Sequence, residues 1–335
     1  MIFISYLYIV EHGAVISFSE NYIKVTLKNS DTRKVPVETV ESISIFSKSQ
    51  MTTQCTEECL RRGIPVSYYS KSGKFFGQLM STGHVNTQRQ RKQSLLYESD
   101  FAVQFAKNII SCKINNQLTV LKRYMRNSSV DLENQIFQIK NSYKKIEYCS
   151  TIEEIMGYEG IAARYYFEGL GKLVEPEFYF QKRSRRPPKD EFNSILSLGY
   201  SILLNEIYGK IQSKGLNPYF GLVHSDREKH PTLASDLMEE WRAVIVDSLV
   251  MSLINGHEIK KEHFTLGDNG GYFLTSDGMK IFIKKFENKL KTSARYLSYV
   301  DYSVSFRRAM DLQVNQLVKA IEEENADLYK PIKIR

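Results

Sequence analysis

The chain has 335 residues and a mass of 38.8 kDa, with 42% hydrophobic and 25% charged residues. That composition excludes wholesale disorder and, at roughly 150 residues per domain, predicts two domains. A net charge of +8 and a pI near 9.0 point to a polyanionic partner, nucleic acid before an anionic membrane surface.

The apolar start has no basic flank and no cleavage pattern, so no signal peptide is expected. Phe3 to Val10 reads as a strand, followed by a turn at Glu11-His12-Gly13. Ala14 to Ser19 and Tyr22 to Lys28 alternate apolar and polar residues around Ser19-Glu20-Asn21. Val35 to Val37 and Ser42 to Phe46 continue the pattern. Met51 to Arg62 reads as a helix stopped by Gly63. Its Cys55 and Cys59 are spaced for one helix face rather than a zinc knuckle. Val66 to Tyr69 and Phe75 to Leu79 read as two further strands. Short strands between turn signals predict a small, mainly antiparallel β-rich N-terminal domain over 1–83.

Beyond it, apolar residues recur at spacings of three and four. The pattern predicts helices over 87–111, 114–127, 130–146, 151–169, 189–213, 231–254, 276–291 and 303–325, with a hairpin or loop at 258–274. The expected architecture is α+β, the β-rich domain preceding a larger all-α domain over 84–335. No uncharged apolar run is long enough for a membrane span. With few, scattered cysteines, the expected compartment is reducing and cytoplasmic.

Three segments carry chemistry. Thr151-Ile152-Glu153-Glu154 has capping-box spacing. On the helix that follows, Glu159 lies among Gly157, Gly160, Ala162 and Ala163, small residues that let another helix approach closely and enclose a carboxylate. The second segment ends a Pro/Gly loop at His224 and continues into a helix bearing Asp236, Glu239 and Glu240. Residues three and four apart are neighbours, so these carboxylates share a face and need a cation to balance them. A Glu, a His and a further carboxylate form a mixed N/O set suited to Mg2+ or Mn2+, an ion that polarises a phosphodiester. The third segment, Gln181 to Lys189, holds five cationic residues in nine, kept extended by Pro187 and Pro188. Such a run suits phosphate contacts along a duplex.

These blocks together resemble the CRISPR-associated adaptation endonuclease family (Cas-one), the integrase subunit that inserts new spacers. The resemblance is carried by Gly157 to Phe167, by Arg185-Arg186-Pro187-Pro188-Lys189-Asp190 with Asn193 and Leu196 to Tyr200, by Gly215 to His224, and by Leu233 to Arg242. It covers about half of the chain.

The resemblance implies that Glu159, His224 and Glu239 are catalytic metal ligands, with Asp236 supporting them and Glu240 the alternative should the register differ. It implies a homodimer formed largely through the β-domain. Two such dimers would be bridged into a heterohexamer by a dimer of a small ferredoxin-like partner (Cas-two). The implied reaction on double-stranded DNA is attack of a pre-spacer 3′-hydroxyl on a phosphodiester, with cleavage of branched DNA as a side activity. His224 must be neutral to ligate, so activity should fall as it protonates in acid. Charge and proximity nominate Arg183, Arg185, Arg186 and Lys189 for DNA-backbone contacts. Two alternatives are a stand-alone branched-DNA repair nuclease and a non-catalytic DNA-binding scaffold.

Overall fold

The computed structural model describes residues 5–334 and divides the chain into two compact units, Met1–His84 and Val85–Arg335. Phe3, Ile4 and Arg335 lie outside the described residues.

The first unit holds β1 (Ser5–Ile9), β2 (Val15–Ser19), β3 (Tyr22–Thr26), β4 (Thr32–Pro36), β5 (Val40–Ile45), β6 (Gln50–Met51), helix α1 (Thr53–Arg62), β7 (Val66–Tyr69) and β8 (Phe75–Leu79). Two four-stranded sheets form, in the orders β1-β5-β7-β8 and β4-β3-β2-β6. The hairpins β2–β3, β3–β4 and β7–β8 are antiparallel as the alternation predicts. Glu20 and Asn21 both take positive φ, 56° and 61°, between β2 and β3, the two-residue turn that matches strand twist. The pairings β1–β5, β5–β7 and β2–β6 are parallel, so the sheets are mixed. Helix α1 supplies the crossover that a parallel strand needs. Gly63 ends it at φ 69°, and Cys55 and Cys59 face the core beside Ile16, Ile43 and Val66.

The larger unit is helical: α2 (Thr87–Leu95), α3 (Asp100–Met125), α4 (Glu133–Ile146), α5 (Ile152–Leu173), α6 (Glu191–Ser213), α7 (Thr232–Trp241), α8 (Ser248–Asn255), then β9 (Phe264–Leu266), β10 (Tyr272–Leu274), α9 (Ser276–Lys291), β11 (Ser293–Ala294), β12 (Val304–Ser305) and α10 (Phe306–Glu322). The predicted 258–274 interruption is the β9–β10 hairpin. With β11–β12 it makes this unit predominantly rather than purely α. Capping at Thr151 and Glu154 starts α5 as expected.

Two boundaries depart from the periodicity. The break expected near 112 lies instead at 96–99, where Glu98 takes φ 55°, and α3 runs unbroken through Lys113, Asn116 and Gln117. Those polar side chains are buried in the bundle, which is why they resemble a break in an apolar pattern. The helix expected over 231–254 changes pitch: a π-helical stretch, Arg242–Asp247, separates α7 from α8. Such insertions in α-helices recur at functional sites.

Residues Tyr329 to Ile334 thread between helices. The Ile332 carbonyl accepts hydrogen bonds from Cys112 and Asn116, and the Ile334 N–H donates to Asn116 Oδ1 at 3.1 Å. Tyr329 and Ile332 are fully buried. Among the described residues no helix is long and apolar enough to cross a membrane.

Candidate active site

All ten residues of α7 are buried, acidic ones included, so the helix is central rather than a solvated acidic surface. Its carboxylates divide between two sides. Asp236 and Glu239 turn toward His224 and Glu159, whereas Glu240, one residue on and about 100° around the helix, turns away. Glu240 accepts hydrogen bonds from Tyr329, from Gln313 and from the Ile332 N–H at 2.7 Å. Burial raises its pKa to about 7. The expectation that 236, 239 and 240 share one face therefore holds only for the first two.

His224 is positioned by Asp236. The imidazole Nδ1 lies 2.7 Å from Asp236 Oδ1, and Asp236 also accepts the backbone N–H groups of Leu222, Val223 and His224 at 2.7, 3.0 and 3.1 Å. With Nδ1–H donating, Nε2 keeps its lone pair, and it sits 3.9 Å from Glu239 Oε1. This is the carboxylate–histidine arrangement that fixes a metal-ligating imidazole. Burial pulls the His224 pKa down, but the hydrogen bond and charge of Asp236, with Glu239, outweigh it and leave the pKa raised.

The loop before His224 is pinned by a residue that periodicity does not mark. Gln93 of α2 donates to the Asn217 and Phe220 carbonyls at 2.8 and 2.9 Å and accepts the Asn217 N–H at 2.9 Å. Gly221 is obligatory, because a Cβ there would lie 2.4 Å from Thr232 Cγ2 and 2.9 Å from the His224 carbonyl.

Glu159 on α5 and Glu239 on α7 meet at Lys113 of α3. The Lys113 ammonium pairs with Glu159 Oε1 and lies 2.5 Å from Glu239 Oε2, with the three side chains 7%, 15% and 2% exposed. Arg242 reaches Glu239 Oε1 at 3.1 Å. Burial would raise the Glu239 pKa, but Arg242, Lys113 and His224 hold it below the ordinary carboxylate range. Gly157 and Gly160 do not produce this enclosure, since nothing lies within 4 Å of a Cβ on either. The close helix approach is at Gly169, where a Cβ would meet Leu121 Cδ1 at 2.8 Å.

The donor set suits a hard divalent cation: two carboxylates, and an imidazole whose other nitrogen is already engaged. Glu239 Oε2 is buried, and the Lys113 ammonium at 2.5 Å is the cation beside it. Among the described residues no three acidic, His or Cys side chains stand ready as a ligand cage; between the two carboxylates stands an ammonium.

Beneath the site, Arg183 and Arg242 lie 5.4 and 5.0 Å from the centre of the Tyr200 ring. The hydroxyls of Tyr200 and Tyr166 both donate to Asp247. Arg183 is thus largely inside the protein. Its guanidinium bonds Asn193 Oδ1 at 2.7 Å and Ser197 Oγ at 3.0 Å, and burial lowers its pKa to about 10. Arg185, Arg186 and Lys189 are exposed. The β9–β10 hairpin backs the loop that carries them, the Tyr272 N–H donating to the Pro188 carbonyl at 3.0 Å.

The family model for the CRISPR associated protein Cas1 matches residues 7–288. The "CRISPR-associated endonuclease Cas1" of Mycobacterium tuberculosis is 35% identical over 319 residues, covering 94% of each chain. The protein of the same description from Clostridium perfringens is 31% identical over 331 residues, covering 97% of this chain and 98% of its own. Among solved structures, a CAS1 protein from Thermotoga maritima superposes with a TM-score of 0.81 at 25% identity, covering 95% of this chain and 97% of that one. A casposase bound to integration product shares the fold with a TM-score of 0.84 at 23% identity, covering 96% and 92%.

Proposed function

The chain belongs to the CRISPR-associated Cas1 family, and from that membership we propose that it is a metal-dependent DNA endonuclease and integrase that inserts new spacers into a CRISPR array. The observation that carries this reading is the meeting of Glu159, His224 and Glu239, brought from α5, a loop and α7 to one place.

Glu159, Glu239 and His224 Nε2 would hold the ion. Mg2+ or Mn2+ bound there supplies charge neutralisation at a phosphodiester and favours the ionised form of the attacking hydroxyl. Asp236 holds His224 in the tautomer that leaves Nε2 free to bind. Arg242, stacked on Tyr200 beside Glu239, keeps the carboxylate ionised. Arg185, Arg186 and Lys189 present exposed cations along the adjacent loop and suit contacts to a duplex backbone. With the 3′-hydroxyl of a DNA strand as nucleophile the outcome is strand transfer; with water it is cleavage. A Cas6-RT-Cas1–Cas2 complex is among the structures that share this fold, with a TM-score of 0.85 at 23% identity, and the chain spans 36% of the matched protein in it. A homodimer bridged by a small Cas2-type partner into a heterohexamer is the assembly we propose.

The test is a strand-transfer assay on an array-bearing duplex, with purified partner, with and without Mg2+ or Mn2+. Transfer that needs the metal and is lost in His224→Ala supports the reading. Transfer and cleavage that both persist in His224→Ala overturn it. Branched-DNA cleavage without spacer insertion would instead indicate a stand-alone repair nuclease.

A further inference from the structure

Lys113 is an unusual neighbour for two proposed metal ligands. Lysine is almost never fully buried unless paired, and here one ammonium serves two carboxylates from different helices. The lysine enters from a third helix, in the interior of α3. Its neighbours on that helix tie the bundle together: Asn116 Nδ2 bonds the Glu240 carbonyl at 3.0 Å. The site that would take a divalent ion therefore already contains a cation.

We propose that Lys113 is the resident counter-cation of the Glu159–Glu239 pair, holding the two carboxylates together in the metal-free protein and competing with a divalent ion for the space between them. The inference rests on the metal-dependent function proposed for the chain and adds a residue that sets the affinity of the site.

Three observations carry it. First, the ammonium touches an oxygen of each carboxylate, so it fills the space between two groups that would hold the ion. A magnesium ion needs its oxygen ligands at about 2.0–2.1 Å, so an ion taking Glu239 Oε2 would compete with the ammonium that lies 2.5 Å from that oxygen. Second, the two cations at Glu239 differ in how they are held. A lysine is a point charge on a flexible four-carbon stem, whereas Arg242, the other cation at Glu239, is held against the Tyr200 ring. Third, the pair cannot go uncompensated. Two carboxylates this enclosed repel each other and are costly without a cation, so the metal-free fold needs an internal one. The same ammonium thus stabilises the empty site and weakens its hold on a metal.

The experiment uses the full chain stripped of metal. Mn2+ is titrated calorimetrically into wild type, Lys113→Met, Lys113→Gln and Lys113→Arg, and each is melted with and without saturating Mn2+. Removing the charge should tighten Mn2+ binding by at least about tenfold, the order expected for deleting a like charge within a few ångströms in a partly screened site. Lys113→Met and Lys113→Gln should melt lower than wild type without metal and show a larger rise in Tm when Mn2+ is added. Lys113→Arg should bind Mn2+ within a few-fold of wild type. Mn2+ affinity unchanged or weakened in both neutral variants overturns the inference while leaving the metal site standing. Should Lys113→Met fail to fold, Lys113→Gln, which keeps a neutral hydrogen-bond donor, decides the question alone. Absence of saturable Mn2+ uptake by wild type defeats the metal-dependent function, and with it this inference.

Discussion

Asp236 grips His224 twice, through the imidazole Nδ1 at 2.7 Å and through the His224 backbone N–H at 3.1 Å. Its second oxygen holds the two preceding N–H groups. The same carboxylate therefore shapes the loop and chooses the tautomer. Asp236→Ala is expected to weaken Mn2+ affinity by about 10–100-fold, the usual cost of removing a partner behind a ligating histidine. It should also lower Tm, because three buried N–H groups are left without their acceptor. Titration of Mn2+ alongside thermal melting checks both effects. Unchanged Mn2+ affinity would mean that His224 is not oriented by this pair.

The basic segment contains two kinds of arginine. Arg183 is bound inside by Asn193, Ser197 and the Tyr200 ring, so Arg183→Ala should lower stability by about 1–3 kcal/mol through hydrogen-bond partners left unpaired. Arg185→Ala and Arg186→Ala should leave Tm unchanged and weaken duplex binding. For every phosphate that is no longer neutralised, the salt slope of log K should fall by about 0.9. Binding isotherms at several salt concentrations separate the classes, and an unaltered slope in the Arg185/Arg186 double variant would remove this loop from the interface.

Much of this was legible in the sequence. Turn chemistry at Glu20-Asn21 and Gly63 marks a hairpin and a helix end of the β-rich unit, because local backbone preferences decide those features. The capping box at Thr151 and Glu154 likewise starts α5. Tertiary choices were not legible. Parallel pairing of β1, β5 and β7 joins segments far apart in sequence. The direction of Glu240 is set by Tyr329 and Ile332, partners 89 and 92 residues away. Lys113 carried a signal, a cation followed by Asn116 and Gln117 inside an apolar helix, but the same polarity also fits a loop. For Glu159 the small residues around it suggest the wrong cause of enclosure: the partner that encloses it is a lysine on α3, and its flanking glycines face open space.

That open space makes a prediction of its own. Gly157→Ala and Gly160→Ala meet nothing within 4 Å and should each raise helix stability by up to about 1 kcal/mol. Gly199→Ala should do the reverse, costing about 1–3 kcal/mol by overpacking, because its Cβ would lie 2.5 Å from Val246 Cγ1 in the π-helical stretch. Urea unfolding of the three variants checks the signs. If the first two become more stable and no longer support strand transfer, the exposed face of α5 at Gly157 and Gly160 is where substrate lies.

Asp247 supplies a pH dependence. Burial raises its pKa from 3.8 to about 6, even with two tyrosine hydroxyls donating to it. Between those values the folded chain holds a proton that the unfolded chain has released. The associated stability is complete below about pH 4 and is lost as pH rises through 6. Relative to Asp247→Asn, wild type should therefore lose up to about 3 kcal/mol between pH 4 and pH 7. Urea melts of both proteins at several pH values measure the difference directly, and a constant gap would show that Asp247 titrates alike in both states.

The threading of residues 329–334 beside Glu240 also bears on when the molecule matures. A chain emerges from the ribosome N-terminal end first, and Glu240 precedes Tyr329 by 89 residues. Glu240 is therefore translated long before the hydrogen bonds that seat its carboxylate exist. While synthesis continues, Asp236 and Glu239 can already meet their partners at 222–224, 113 and 242, whereas Glu240 lacks all three groups that seat its carboxylate. A chain proposed to cut and join DNA thereby completes the hydrogen bonding of its buried Glu240 carboxylate only after residues 329–334 have been made.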